Sequence, residues 1–332
     1  MPRLLTGPVR VRVPATCANL GPGFDAFGLA LCLYDEVCAQ VSGTGTRVRV
    51  SGEGADDLPA DDSHLVVRSM LAAFERVGVE RPPGLELACA NRIPQARGLG
   101  SSSAAIVAGV LAARALVEDG ASILDDAGVL RLASELEGHP DNVAPCLLGG
   151  FTIAWLDDSE VSEPAGGTGA QPAGGTGAGS ARAVRLVPAD GVRPIVLVPT
   201  ERGLTAQARA ALPATVSHAD AARNAGRAGL LVHALTAAPE LLLAATEDRL
   251  HQRYRAPGAP ATYALVTELR RKGVPAVVSG AGPSILVLGG PVEIPITAGW
   301  RRLDVGIDAR GAVVEVDSQH AERGSVAAGR AS

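Results

Sequence analysis

The chain has 332 residues, enough for two ordinary domains with sizeable cores, which excludes a peptide-sized or disulfide-stapled mini-protein. It is 47% hydrophobic, 20% charged and only 3% aromatic, with 40 Gly and 23 Pro, the composition of a globular protein with aliphatic cores and much loop. Its 30 basic residues face 35 acidic ones for a net charge of -5, so it carries no basic footprint for nucleic acid.

Residues 9–13 (VRVRV) alternate with period two and predict a half-buried strand, as do residues 47–51 (RVRVS). Residues 64–77 carry Leu65, Met70, Leu71 and Phe74 at helical spacing with Gly78 as a stop, and residues 85–90 read as a short buried strand. Residues 104–116 are apolar on nearly every side and predict a core helix entered from a Gly/Ser-rich loop. A helix over 130–137 and a strand over 151–156 follow. PAGGTGA then occurs at 164–170 and again at 172–178, a segment too poor in apolar surface to offset its ordering entropy, which predicts a disordered insert over 159–182. Strands at 183–187 and 194–198, helices around 205–212 and 219–235, a helix at 263–272 and strands at 276–279 and 285–288 complete an α+β pattern. The expected domains are 1–158 and 183–317, separated by the insert and followed by a fraying tail over 318–332.

All but one of the basic residues are arginine. The single lysine, Lys272, lies in Arg271-Lys272-Gly273, so no Walker A loop is present and any phosphate grip must use another cradle. Cys17, Cys32, Cys38, Cys89 and Cys146 are scattered without a C-x-x-C pair and read as reduced thiols rather than a disulfide framework or zinc site. The N-terminal stretch has no signal-peptide core and no stretch spans a membrane, so a cytoplasmic protein with no membrane partner is expected.

Four segments carry candidate chemistry. Residues 94–103 (PQARGLGSSS) run into the core helix, where two glycines permit close backbone approach and a helix N-terminus favours an anion; a plain capped helix entry would use the same residues. Residues 14–25 (PATCANLGPGFD) end a strand in a turn holding Asn19 and Asp25, which Asx capping alone would also explain. Residues 139–145 (HPDNVAP) follow Glu135 and Glu137, a cluster suited to metal binding or proton transfer, or to an N-cap. Residues 279–284 (SGAGPS) sit between two apolar strands, where a tight turn would want the same glycines.

Taken in this order, the four segments resemble the GHMP small-molecule kinase superfamily and within it the homoserine kinase family, over about residues 9–290. The resemblance implies a two-domain GHMP kinase fold, with an N-terminal domain like ribosomal protein S5 domain 2 and a C-terminal ferredoxin-like domain. It implies ATP held by Pro94, Gln95, Ala96, Arg97, Gly98, Leu99, Gly100, Ser101, Ser102, Ser103 and Ala104, and Mg²⁺ held by Ser102 and Glu135, with Glu137 the alternative glutamate. The substrate implied is L-homoserine, phosphorylated on the way to threonine. Asn19 and Asp25 would hold its amino end and hydroxyl region, Arg209 and Arg255 its carboxylate, with Arg253 a possible substitute for Arg255. Asn142, beside His139 and Asp141, would line the hydroxyl. The catalytic set is then Asn142, Asp25, His139 and Arg209, and a homodimer is expected.

Overall fold

The alternation of VRVRV sends Val9, Val11 and Val13 into the core, and Pro14, which has no N–H to donate, falls where the pairing with the next strand is irregular. The computed structural model describes residues 2–157, 180–203, 205–289, 294 and 298–316. The first part runs β1 (Val9–Ala18), β2 (Phe27–Val41), β3 (Gly45–Gly52), α1 (Leu65–Arg76), β4 (Gly84–Asn91), α2 (Ser101–Ala115), α3 (Gly120–Ile123), α4 (Asp126–Glu137), α5 (Val143–Leu148), β5 (Phe151–Asp157) and β6 (Ser180–Leu186). The second part runs β7 (Ile195–Pro199), α6 (Thr205–Ala210), α7 (His218–Thr236), α8 (Leu242–Ala245), α9 (Gln252–Arg255), α10 (Pro260–Arg271), β8 (Ala276–Val278), β9 (Ile285–Val287), β10 (Trp300–Asp304) and β11 (Val313–Val316).

The first sheet has the order β11-β1-β2-β4-β3, with β5 and β6 added beside the start of β2. β2 changes partners along its length: Phe27–Leu29 pair with β5, and Glu36–Val41 with β4. α2 packs against this sheet, with Ser103, Ala104 and every residue from Ile106 to Ala113 buried, as expected of a helix that is apolar all round. The second sheet is antiparallel with order β10-β7-β9-β8, the strand order of a ferredoxin-like domain. Both its faces are covered. Val196 and Val198 share the large core of the first domain, whereas Ile195 and Leu197 pack in a second core with Val266 and Leu269 of α10.

Two expectations need correction. β6 pairs with β5 and β11 with β1, so both belong to the first sheet and not to a domain spanning 183–317; the chain returns to the N-terminal domain at its end. β2 was not predicted as a strand at all, because its first residues are buried on both faces and show no alternation. Of the expected insert, Ser180–Arg182 open β6 and the rest lies outside the described residues, as does the 318–332 tail.

On β2, Asp35 is 8% exposed, and its Oδ1 accepts the N–H groups of Arg92 (2.6 Å) and Ile93 (2.8 Å), just ahead of the Gly/Ser-rich loop. Burial pushes its carboxyl up from 3.8 to about 6. Because the folded-state pKa is raised, its favourable contribution is present below pH 3.8 and is lost as pH rises through about 6. Asp35→Asn keeps an accepting oxygen without the charge. Urea unfolding should therefore show the variant gaining on the wild type across that window, by up to about 3 kcal/mol; a gap independent of pH would contradict this account.

Candidate active site

The loop between β4 and α2 is built from backbone. Gly98 and Gly100 have φ of +72° and +69°, in the left-handed region where side chains are strained. Neither has room for a β carbon: at Gly98 it would strike the carbonyl oxygens of Ser279 and Gly282, and at Gly100 the Thr16 hydroxyl. α2 begins immediately afterwards with Gly100 as its N-cap and no side chain capping it, so its first amides and its dipole face the loop. The loop is tied on both sides. Thr16 N–H donates to Leu99 O (3.0 Å), Ser279 Oγ donates to Gly98 O (2.6 Å) and Ser284 N–H donates to Arg97 O (3.2 Å). The Arg97 side chain turns away from the loop's concave side and donates to the carbonyls of Gln95, Pro199 and Thr200, so it staples the loop to the end of β7.

α4 delivers a carboxylate to the helix start. Glu137 accepts from Ser102 Oγ (2.7 Å) and Ser103 Oγ (2.8 Å). Burial raises its pKa, against the two serine hydrogen bonds, which lower it. Glu135, the glutamate expected beside Ser102, does not reach it. Two positions on a helix differ by roughly 200°, and Glu135 points to the surface, where it pairs with Arg76 at 2.6 Å. Beyond Glu137, Gly138 at φ +90° ends α4 and leads to His139, whose Nδ1 lies 2.6 Å from Asp141 Oδ1. Burial resists a charge on His139, but the hydrogen bond and charge of Asp141, with Glu137 and Asp25, outweigh it and raise its pKa.

The turn after β1 holds Asn19, Leu20 and Asp25 at positive φ. Asn19 spans two segments: its Oδ1 accepts from Asp25 N–H (2.9 Å) and its Nδ2 donates to Gly280 O (2.9 Å). Asp25 forms a bidentate pair with Arg209 of α6, at 2.9 and 3.0 Å, which raises the pKa of the arginine. Arg255, 8% exposed, lines the same cavity, whereas Arg253 turns outward to Asp220 and Tyr254. The cavity holds about 380 Å³ and brings Asn19, Asp25, Asn142, Arg209 and Arg255 together with the helix start at Ser101 and Ser102. A second cavity of about 250 Å³, largely apolar and lined by Val13, Val37, Gln95, Ala104 and Ala108, opens beside that same helix start.

Two residues act through contacts that the sequence does not specify. Thr16 Oγ1 donates to Asn142 Oδ1 (2.8 Å) and so orients the asparagine amide. Asn224 of α7 donates to Pro22 O (2.8 Å) and holds the Gly21-Pro22-Gly23 turn. Both contacts join residues more than a hundred positions apart, which only the fold brings together.

Residues 64–150 match the model for the GHMP kinases N terminal domain, which places the chain in the GHMP class of small-molecule kinases, in keeping with its split α+β fold and its lysine-free glycine loop at a helix start beside a charged cavity. The chain is 52% identical over 318 residues to the homoserine kinase of Streptomyces avermitilis, covering 94% of this chain and 97% of that one. With the homoserine kinase of Clavibacter michiganensis it shares 48% over 320 residues, covering 93% and 94%. The crystal structure of homoserine kinase from Cytophaga hutchinsonii superposes with a TM-score of 0.74 at 25% identity, covering 94% and 99%. The chain belongs to the homoserine kinase family.

The crowding at Gly98 makes a test of the loop. Gly98→Ala should cost on the order of 2 kcal/mol and raise KM for ATP, since the loop must shift off Ser279. Gly78→Ala, also at positive φ but with open space around it, should lower Tm while leaving KM for ATP unchanged. Equal effects of the two variants on KM would show that strain alone, and not the packing of the loop, is being measured.

Proposed function

We infer that the protein transfers the γ-phosphoryl group of ATP to the side-chain hydroxyl of L-homoserine, yielding O-phospho-L-homoserine and ADP, a step of threonine biosynthesis. The observation that carries this reading is the Asp25–Arg209 pair beside the phosphate cradle. Without substrate, each charge has the other as partner. A zwitterion entering between them exchanges partners, its ammonium going to Asp25 and Asn19 and its carboxylate to Arg209 and Arg255, with no charge left unpaired. A substrate with a carboxylate and no ammonium, such as mevalonate, would leave Asp25 uncompensated.

The γ-phosphate sits against the first amides of α2 and the hydroxyls of the serine run, where backbone N–H groups and the helix dipole supply positive potential without a lysine. The apolar cavity beside the cradle receives the nucleobase. Transfer breaks the bond from the γ-phosphorus to the bridging oxygen of ADP and forms one to the substrate hydroxyl oxygen. Its transition state is loose, so positioning and charge neutralisation do most of the catalysis. Asn142, oriented by Thr16, and Asp25 align the hydroxyl, and its proton passes to the γ-phosphate or to water. Asp141 is committed to His139, which argues against a free carboxylate base there.

Mg²⁺ fits the residues present. Ser102 and Glu137 are hard oxygen donors already in contact, and among the described residues there is no cluster of three or more His, Cys, Asp and Glu that could hold a metal. That suits an ion that takes few protein ligands and completes its shell with phosphate oxygens and water. When bound it would neutralise charge on the phosphates. No helix among the described residues is long and apolar enough to cross a membrane; a cytoplasmic location and a homodimer complete the reading.

A coupled ADP-release assay should give turnover with homoserine and none with mevalonate; the reverse outcome would overturn the substrate assignment. Glu137→Gln should cut kcat at least about 100-fold at saturating Mg²⁺. Glu135→Gln should leave kcat intact and lose at most about 1 kcal/mol of stability from its exposed pair with Arg76. Should Glu135→Gln prove the more damaging, the metal ligand has been misassigned.

A further inference from the structure

Arg255 reaches the cavity from a four-residue helix, α9, which by itself is too short to hold a long side chain in place. The turn before it is fastened by Asp248, whose carboxylate accepts the N–H groups of Leu250, His251 and Gln252. The guanidinium is fastened by three acceptors. Nε donates to Ala208 O (3.2 Å), and Nη1 donates to Gly280 O (3.3 Å) and to Nδ1 of His251 (3.1 Å). Nη2 has no hydrogen-bond partner among the described residues, which leaves one corner of the fork for a ligand.

His251 is 0% exposed and stacks on Phe24, with ring centroids 5.2 Å apart, while Arg255 lies over the same Phe24 ring at 5.3 Å. Its Nε2 is 2.8 Å from Gly21 O. The two contacts assign the ring's protons. A carbonyl can only accept, so Nε2 carries a hydrogen; a guanidinium can only donate, so Nδ1 carries none. The ring is neutral, in one tautomer, and bridges the arginine of α9 to the Gly21 turn that leads into Asp25.

We propose that His251 is a positioning residue: as the neutral Nε2–H tautomer it fixes the distance between the Arg255 guanidinium and the Asn19–Asp25 turn, and so sets the affinity for the substrate carboxylate. This rests on the reading of Arg255 as a carboxylate ligand. Protonation would put a second cation's donor against Arg255 and break the bridge. Burial lowers the pKa of the ring, and the charge of Arg255 lowers it further, against Asp248, the Gly21 carbonyl and Asp25, which raise it. Those groups, with the uncharged Phe24, are what faces it from α9, the turn before it and the β1–β2 loop.

The test compares wild type with His251→Phe, which keeps volume and stacking but neither hydrogen bond, and His251→Asn, whose amide oxygen can stand near the Nδ1 position. His251→Phe should raise KM for homoserine about tenfold, with KM for ATP and kcat nearly unchanged, and His251→Asn should recover most of that loss. In the wild type, KM for homoserine should rise as the pH falls through the titration of His251. That limb should vanish in His251→Asn although His139 still titrates in the same cavity.

An unchanged KM in a folded His251→Phe enzyme overturns the proposal and leaves the substrate reading standing. Absence of homoserine turnover in the wild type overturns the substrate reading instead. Should both variants fail to fold, ¹⁵N spectra of the imidazoles in the wild type decide: a bare Nδ1 and protonated Nε2 on His251 are required, and the opposite tautomer or a doubly protonated ring overturns the proposal.

Discussion

At Gly98 the backbone of another segment, and at Gly100 the side chains of two others, stand so close that a β carbon cannot be accommodated. Gly98 lies against Ser279 and Gly282 from the turn between β8 and β9, and Gly100 against Thr16 of β1 and Asn142 ahead of α5. The rest of the site follows from that proximity. The loop can hydrogen-bond to both domains through its own amides and carbonyls, and α2 starts with its N-terminal groups directed at the junction. Because both sheets contribute to one hydrophobic core through Val196 and Val198, the junction is supported from beneath.

Every charge in the cavity has a hydrogen-bonding partner, whether an opposite charge or a neutral donor or acceptor. Asp25 faces Arg209, His139 faces Asp141, and Glu137 accepts from two serines. Asp25 and Arg209 are partly open to solvent, which screens them, so a ligand that replaces the partner it displaces gains a modest advantage over one that leaves a charge unmatched. This favours a zwitterion over a simple acid and favours arginine over lysine. A planar fork can give some corners to the protein, as Arg255 does to Ala208, Gly280 and His251, and still offer another to a ligand. The glycine loop follows the same pattern: it presents backbone amides at the start of α2, which cannot be neutralised as a lysine can.

The predicted elements that matched were those with a local cause. Alternation revealed β1, and an all-round apolar helix preceded by glycine and serine revealed α2. The failures have causes as well. β2 is buried on both faces where it meets β5, and burial on both faces erases the period-two signal. β6 and β11 look like any short strands, and nothing within four or five residues says which sheet they will join. Glu135 and Glu137 are chemically alike and two positions apart, so the choice between them depended on how α4 is rotated against α2.

The sequence by itself determined the local chemistry on offer: a lysine-free glycine loop at a helix start and a glutamate near HPDN, whereas Asp25, Arg209 and Arg255 came together only as what the family resemblance implied. The first two are statements about residue types and short spacings, which backbone geometry and charge make local. Only the tertiary structure decided which glutamate meets the serines, which of Arg253 and Arg255 turns inward, and that Thr16, Asn224 and His251 hold the others in place. Those outcomes depend on hydrogen bonds between residues that are remote in the chain, such as Gly21 to His251 and Asn19 to Gly280, and no spacing rule encodes a contact that exists only after two sheets have packed together.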